Sequence, residues 1–109
     1  MRIWDVEPKC LCRQHLLGEH RELHAIWKIL TANKKGYSRH PETLRWRGKL
    51  KALYLRHKAL VQEMHQRKYN HNSDLDKRLA KGRAEQNYFL HSIKQQRAIL
   101  KAKKCPCPL

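Results

Sequence analysis

The chain has 109 residues, which is enough for one domain with a modest hydrophobic core. Its 25 Lys and Arg against 9 Asp and Glu give a net charge of +16, which favours a polyanionic partner, nucleic acid above all. The start of the chain lacks the apolar run of a secretory signal, and no apolar stretch approaches the roughly 20 residues of a membrane-spanning helix. We therefore expect a protein of the cytosol or nucleoid with no membrane partner.

The first helical pattern runs from about Leu11 to Thr31. Its apolar positions recur at spacings of three, four and seven, which predicts one buried stripe. That stripe comprises Leu16, Leu23, Ile26, Trp27 and Leu30. The opposite face carries Gln14, Gly18, Arg21, Glu22 and Ala25. Because two of these residues are small, another molecule can approach this face closely.

Two more helices are predicted further along the chain. The second runs from about Leu44 or Trp46 to Gln66, after a loop with turn residues at 33–41. Its predicted core face comprises Trp46, Leu50, Leu53, His57, Leu60, Val61 and Met64, and Lys and Arg crowd its other side. The third spans about Ala84 to Lys103, with Phe89, Ile93 and Leu100 inward and a basic row at Lys94, Arg97, Lys101 and Lys104. Three amphipathic helices with short connections predict an all-α fold, a compact three-helix bundle forming a single domain over residues 1–109.

Histidine and cysteine are the residues with metal-binding chemistry. His20 and His24 are four residues apart, a spacing found among metal ligands. No third ligand has a clear position, so structural or solvated histidines are favoured. The cysteines form two Cys-x-Cys pairs, Cys10 with Cys12 and Cys105 with Cys107. Free thiols, a zinc site and disulfides joining the termini are all compatible with this spacing.

The helix-one segment Arg13-Gln14-His15-Leu16-Leu17-Gly18-Glu19-His20-Arg21-Glu22-Leu23 resembles the N-terminal helix of the pyrimidine-dimer DNA glycosylase family. Gly36-Tyr37, His40-Pro41 and Tyr69-Asn70-His71-Asn72-Ser73 are similar to loops of its cellular members. Ile93-x-Gln95-x-Arg97-x-x-x-Lys101 resembles the family's phosphate-contacting helix. The resemblance covers nearly the whole chain and is strongest in the first 75 residues. It implies a helical bundle with the N-terminus threaded between helices.

The resemblance also implies a DNA glycosylase with abasic-site lyase activity, acting on double-stranded DNA that contains damaged pyrimidines or abasic sites. An N-terminal α-amine attacks the sugar of the damaged nucleotide and expels the base, and β-elimination from the resulting Schiff base cuts the strand. In register with the family motif, Met1 takes the nucleophilic position and Glu22 that of the catalytic carboxylate. The implied DNA-binding residues are Arg2, Gln14, Arg21, Arg97 and Lys101. No metal or organic cofactor is required, and a monomer is expected.

Two departures from the family pattern concern the DNA-contacting surface. A further helix-one arginine of phage members falls on Ala25, and their aromatic C-terminal tail has no counterpart, because no residue after Phe89 is aromatic. An abasic site or another damaged base is therefore also compatible with the sequence as the substrate. The sequence is also compatible with two other kinds of protein: a non-catalytic, basic nucleic-acid-binding module, and a ribosomal or RNA-associated protein stabilised by zinc. Indifference to Glu22→Gln would indicate the non-catalytic module.

Overall fold

The computed structural model describes residues 2–32, 35–69, 74–103 and 107. In these ranges the chain forms four α-helices: α1 (Arg13–Thr31), α2 (Pro41–Trp46), α3 (Leu50–Gln66) and α4 (Ile93–Ala102). Short 3₁₀ turns form at Pro8–Cys10 and Lys77–Leu79, and the described residues contain no β-strand beyond an isolated bridge between Lys49 and Gly82. The predicted all-α fold is confirmed, with four helices in place of three. Of the described helices, none combines the length and apolarity needed to cross a membrane.

The first predicted helix is confirmed to within two residues of its start. α1 begins at Arg13 because the 3₁₀ turn ends at Cys10 and Cys12 is extended. Its predicted stripe faces the interior, with Leu16, Leu23, Ile26 and Trp27 buried and Leu30 packed against the core.

The second predicted helix is two helices, and the prediction of one continuous element is wrong. Trp46 and Leu50 keep helical spacing across the break, so the apolar pattern runs on without interruption. Between them Gly48 adopts a φ of +76°, a conformation that glycine reaches readily and that ends a helix. The chain therefore turns between α2 and α3.

The third helix begins nine residues later than predicted, at Ile93 rather than near Ala84. Ser92 accepts a hydrogen bond from the N–H of Gln95, and the Gln95 side chain accepts one from the N–H of Ser92. This reciprocal cap fixes the helix start. Phe89, predicted to face inward, precedes the helix and is 43% exposed.

Residues 81–83 instead cover the start of α3, which has no side-chain cap. The N–H groups of Lys51 and Ala52 donate to the carbonyls of Lys81 and Arg83 at 2.9 and 3.0 Å. These bonds satisfy donors that a helix leaves unpaired in its first turn.

The core lies between α1 and α3, which run antiparallel. Arg13 stacks on Tyr69 at one end of the pair, and Trp27 meets Tyr54 towards the other. The N-terminal segment, residues 2–6, enters this core, where Ile3, Trp4 and Val6 are buried. The predicted threading of the N-terminus between helices is thereby confirmed.

Candidate active site

The backbone of the N-terminal segment is held by charged and polar side chains from all four helices. The Ile3 N–H donates to Glu42 Oε1 of α2 at 3.2 Å, and the Trp4 N–H donates to Glu19 Oε1 of α1 at 3.1 Å. Further along, the Asp5 N–H donates to Gln96 Oε1 of α4 at 2.7 Å, and the Val6 carbonyl accepts from Arg56 Nη1 of α3 at 2.9 Å. An extended segment without a strand partner thus has its backbone groups satisfied one by one. The four bonding side chains are Glu19, Glu42, Arg56 and Gln96.

Two buried ion-pair clusters, here called anchors, hold the N-terminal segment, and Arg45 is at the centre of the first. Its guanidinium donates to Glu42 Oε1 at 2.6 Å, to the Ile3 carbonyl at 3.1 Å and to the carboxylate of Asp5. Its Nε donates to the Tyr88 carbonyl at 2.7 Å. The side chain is 2% exposed, so these partners, rather than water, balance its charge.

Glu19 and Arg56 form the second anchor. Arg56 binds both carboxylate oxygens of Glu19, at 2.7 and 3.0 Å. Burial raises the pKa of the Glu19 carboxyl, and Arg56 and the Trp4 N–H oppose that rise. Burying paired charges costs more solvation than burying apolar side chains of the same size, so these anchors are better suited to fixing a position than to adding stability.

Glu22 lies one helical turn beyond Glu19 and is half-buried. It lines a cleft of about 560 Å³ between α1 and the loop that precedes α2. The other lining residues are Ala25, Lys28, Ile29, Gly36, Tyr37 and His40. His40 also caps α2 by accepting from the N–H of Glu42 at 3.1 Å. Glu42, which holds Ile3, therefore lies at the start of α2, two residues after His40, which lines the Glu22 cleft.

The other predicted site residues lie on three elements. Arg2 is half-buried, with its guanidinium 4.7 Å from the centre of the Trp4 ring. Gln14 and Arg21 are exposed on α1, and Arg97 and Lys101 are exposed on α4. Met1 lies outside the described residues.

The structure does not gather these residues into one cluster. Gln14 and Arg21 are seven residues apart and so share a helix face, and Arg97 and Lys101, four apart, share another. α4 is connected to the N-terminal segment through Gln96, which precedes Arg97 and bonds to Asp5. All of these side chains except Arg2 are open to solvent and to a large ligand.

Sequence reasoning missed the anchors themselves. Glu19 and Arg56 are 37 positions apart, and Glu42 and Arg45 stand at the spacing of an ordinary surface pair. Arg67 follows a helix whose outer side is basic, yet it donates inward to the Leu11 carbonyl at 2.6 Å. The one local indication is Glu19, which is one turn from Glu22 on the same helix.

Among the residues that the structure describes, two groups of side chains could hold a metal ion. Cys12, His15 and Cys107 form one, and His20, His24 and His57 form the other. Cys10, Cys12 and Cys107 form no disulfide with one another, and Cys105 lies outside the described residues. Burial, with Lys103 nearby, lowers the pKa of His15. The sequence pattern offered no third ligand beside His20 and His24. The structure places His57, which was predicted as a core residue, in that position.

A model of a protein family matches the chain. It is described as pyrimidine dimer DNA glycosylase, and the match covers residues 1–77, which include the N-terminal segment, both anchors and the Glu22 cleft. α4, with Arg97 and Lys101, lies beyond the match. No curated protein and no solved structure matches the chain significantly.

Proposed function

Because the chain belongs to the pyrimidine dimer DNA glycosylase family, we propose that it removes the base at a pyrimidine dimer in duplex DNA and then cuts the strand as an abasic-site lyase. The α-amine of Met1 is the nucleophile and Glu22 is the catalytic carboxylate. The observation that carries this proposal is the anchored N-terminal segment, whose Ile3 is held by Glu42, two residues after His40, which lines the cleft that contains Glu22.

The course of the segment supports Met1 as the nucleophile. Ile3 bonds to Glu42 of α2, and His40, two residues earlier, lines the Glu22 cleft together with residues of the C-terminal half of α1. Three residues span at most about 10 Å, and Glu22 lies about 4.5 Å along the helix from the Glu19 that holds Trp4. The length of chain upstream of Trp4 therefore permits an amine at Met1 to meet the Glu22 carboxylate.

An α-amine is suited to this chemistry because an amine attacks only when unprotonated. At pH 7 an ordinary α-amine is roughly 10–17% neutral, whereas an ordinary lysine is about 0.04% neutral. The amine attacks the sugar C1′, and the C1′–N bond to the base breaks with its electron pair leaving on the base. Opening of the sugar ring gives a Schiff base, loss of a C2′ proton expels the 3′ phosphate, and water finally releases the enzyme amine.

We assign Glu22 a role in both stages. Its carboxylate stabilises the positive charge that develops on the sugar when the base leaves. It then accepts the C2′ proton during elimination. A half-buried carboxylate in a cleft can do both, because it is accessible to substrate and partly shielded from water.

DNA binding is assigned to exposed side chains of α1 and α4, together with Arg2. Arg21, next to Glu22, holds the phosphate beside the damaged nucleotide, and Arg2, Gln14, Arg97 and Lys101 contact the backbone around it.

Reaching the sugar requires distortion of the duplex and extrusion of a nucleotide. The cleft of about 560 Å³ is in the size range of small-molecule sites. We assign the activity to a monomer of the cytosol or nucleoid.

Borohydride trapping tests this proposal. The protein is mixed with duplex DNA that carries either a cyclobutane pyrimidine dimer or an abasic site, reductant is added, and the cross-linked residue is mapped by peptide mass spectrometry. We expect a covalent complex on the Met1 amine with both substrates. Lys28→Arg is the matched control, because Lys28 lines the same cleft and is the competing amine; trapping should persist in this variant.

Two results would contradict the proposed mechanism, and a third would contradict the proposed substrate. A cross-link that maps to Lys28 and disappears in Lys28→Arg would assign the nucleophile elsewhere. Tight binding of duplex DNA with neither trapping nor strand cleavage would indicate a non-catalytic binding module. Trapping with the abasic substrate alone would retain the lyase and exclude the dimer as substrate.

A further inference from the structure

Three histidines from two helices converge between α1 and α3. His20 and His24 are on α1, and His57 is on α3 and only 4% exposed. Their Nε2 atoms are separated by 3.1 Å (His24 to His57), 3.2 Å (His20 to His57) and 3.3 Å (His20 to His24). All three rings present the same nitrogen to one point.

Hydrogen bonding among these nitrogens cannot account for the arrangement. In a neutral imidazole the Nε2 atom carries either one proton or one lone pair. If one of the three Nε2 atoms is protonated, the other two face each other with their lone pairs. If two are protonated, those two face each other with their N–H groups. In either case one of the three contacts is not a hydrogen bond. A cation at the centre would instead accept all three lone pairs.

The spacing also fits a specific coordination geometry. Tetrahedral Zn²⁺ binds histidine nitrogen at about 2.0–2.1 Å, which places neighbouring ligand atoms about 3.3–3.4 Å apart. The observed separations of 3.1–3.3 Å are within 0.3 Å of that value. The three Nε2 atoms thus form one face of a tetrahedron of the size that zinc requires.

We propose that His20, His24 and His57 bind a structural zinc ion. The cleft of about 290 Å³ beside His57 is also lined by Asp74, whose carboxylate is the candidate fourth ligand. His20 follows Glu19 and His57 follows Arg56, so the ion sits next to the anchor that holds Trp4. It fixes α1, which carries Glu22, in register against α3.

A second zinc site is inferred from a separate set of residues. The Nδ1 atom of His15 lies 3.1 Å from Cys12 Sγ and 3.2 Å from Cys107 Sγ, and the N–H of Cys12 donates to Cys107 Sγ at 3.1 Å. Two sulfurs and one imidazole nitrogen are typical ligands of structural zinc. Zinc here would join the C-terminal tail to the start of α1, where the His15 ring packs edge-on against Trp4.

Metal stoichiometry tests both sites. Protein expressed with zinc and exchanged into metal-free buffer is analysed by native mass spectrometry and elemental analysis. We expect two zinc ions in the wild type, one in His24→Gln and one in Cys107→Ser. The matched controls are His65→Gln, an exposed histidine on α3, and Cys10→Ser, a neighbouring thiol outside the cluster; both should retain two.

Cobalt titration of the zinc-free wild type provides the second measurement and does not depend on any variant folding. Two equivalents of Co²⁺ should produce tetrahedral d–d bands, with a thiolate charge-transfer band from the cysteine site alone. Chelation should lower the Tm by at least about 10 °C, because binding to the folded state alone stabilises it. Absence of tetrahedral bands would overturn both sites. Binding of one equivalent of Co²⁺ with thiolate bands would overturn the histidine site. Binding of one equivalent without thiolate bands would overturn the cysteine site.

Discussion

Replacing Arg45 by methionine should destabilise the protein more than any surface substitution. The guanidinium is the positive partner of Glu42 and Asp5, and it donates to the Ile3 and Tyr88 carbonyls. Methionine keeps much of the volume but removes the charge and every donor. Two carboxylates and two carbonyls then remain without their partner in a site where the original side chain is 2% exposed.

The size of the effect follows from that burial. Removing one partner of a buried ion pair costs about 3–5 kcal/mol, because the remaining charge is uncompensated. For a domain of this size each kcal/mol lowers the Tm by roughly 4 °C, so we expect a fall of about 12–20 °C. Because Arg45 holds Ile3, strand cleavage should also slow at temperatures where the variant is still folded.

Urea and thermal unfolding followed by circular dichroism provide the measurement. Arg78→Met is the control, because Arg78 pairs with Asp76 at the surface with 90% of its side chain exposed; its Tm should not change measurably. An Arg45→Met protein with a free energy of unfolding within about 1 kcal/mol of wild type would refute the assignment of Arg45 as the anchor of the N-terminal segment.

Three further predictions concern catalysis, DNA binding and the backbone. Glu22→Gln should lower single-turnover cleavage by about 100-fold or more with DNA affinity within a few-fold; a rate above about a tenth of wild type would remove Glu22 from the chemistry. Arg97→Ala should weaken binding to all duplexes and reduce the slope of log K against log salt by about one unit, whereas an unchanged slope would place α4 away from DNA. Gly82→Ala should cost about 1–3 kcal/mol of unfolding free energy, because Gly82 has a φ of +88° and its added Cβ would meet the Gly48 carbonyl oxygen; Gly18→Ala, with nothing within 4 Å, should be neutral or stabilising.

The helical pattern predicted α1 well because that helix is long and strictly periodic. It failed at Gly48, where the apolar spacing continues through a turn in the backbone. It also failed ahead of α4, where residues 81–83 satisfy the first turn of α3 and Ser92 caps the later start. Caps and turns depend on single residues and their hydrogen-bond partners. A periodic pattern is read over many residues and does not detect them.

The basic charge, the all-α class and, through the family motif, Glu22 and the α-amine as candidates can all be read from the amino-acid sequence. That Glu19 and Arg45 are buried anchors rather than surface charges, and that His57 lies beside His20 and His24, became visible in the folded chain. Side-chain burial and convergence depend on contacts between residues far apart in the chain, and a charged residue has the same letter whether water or an opposite charge surrounds it.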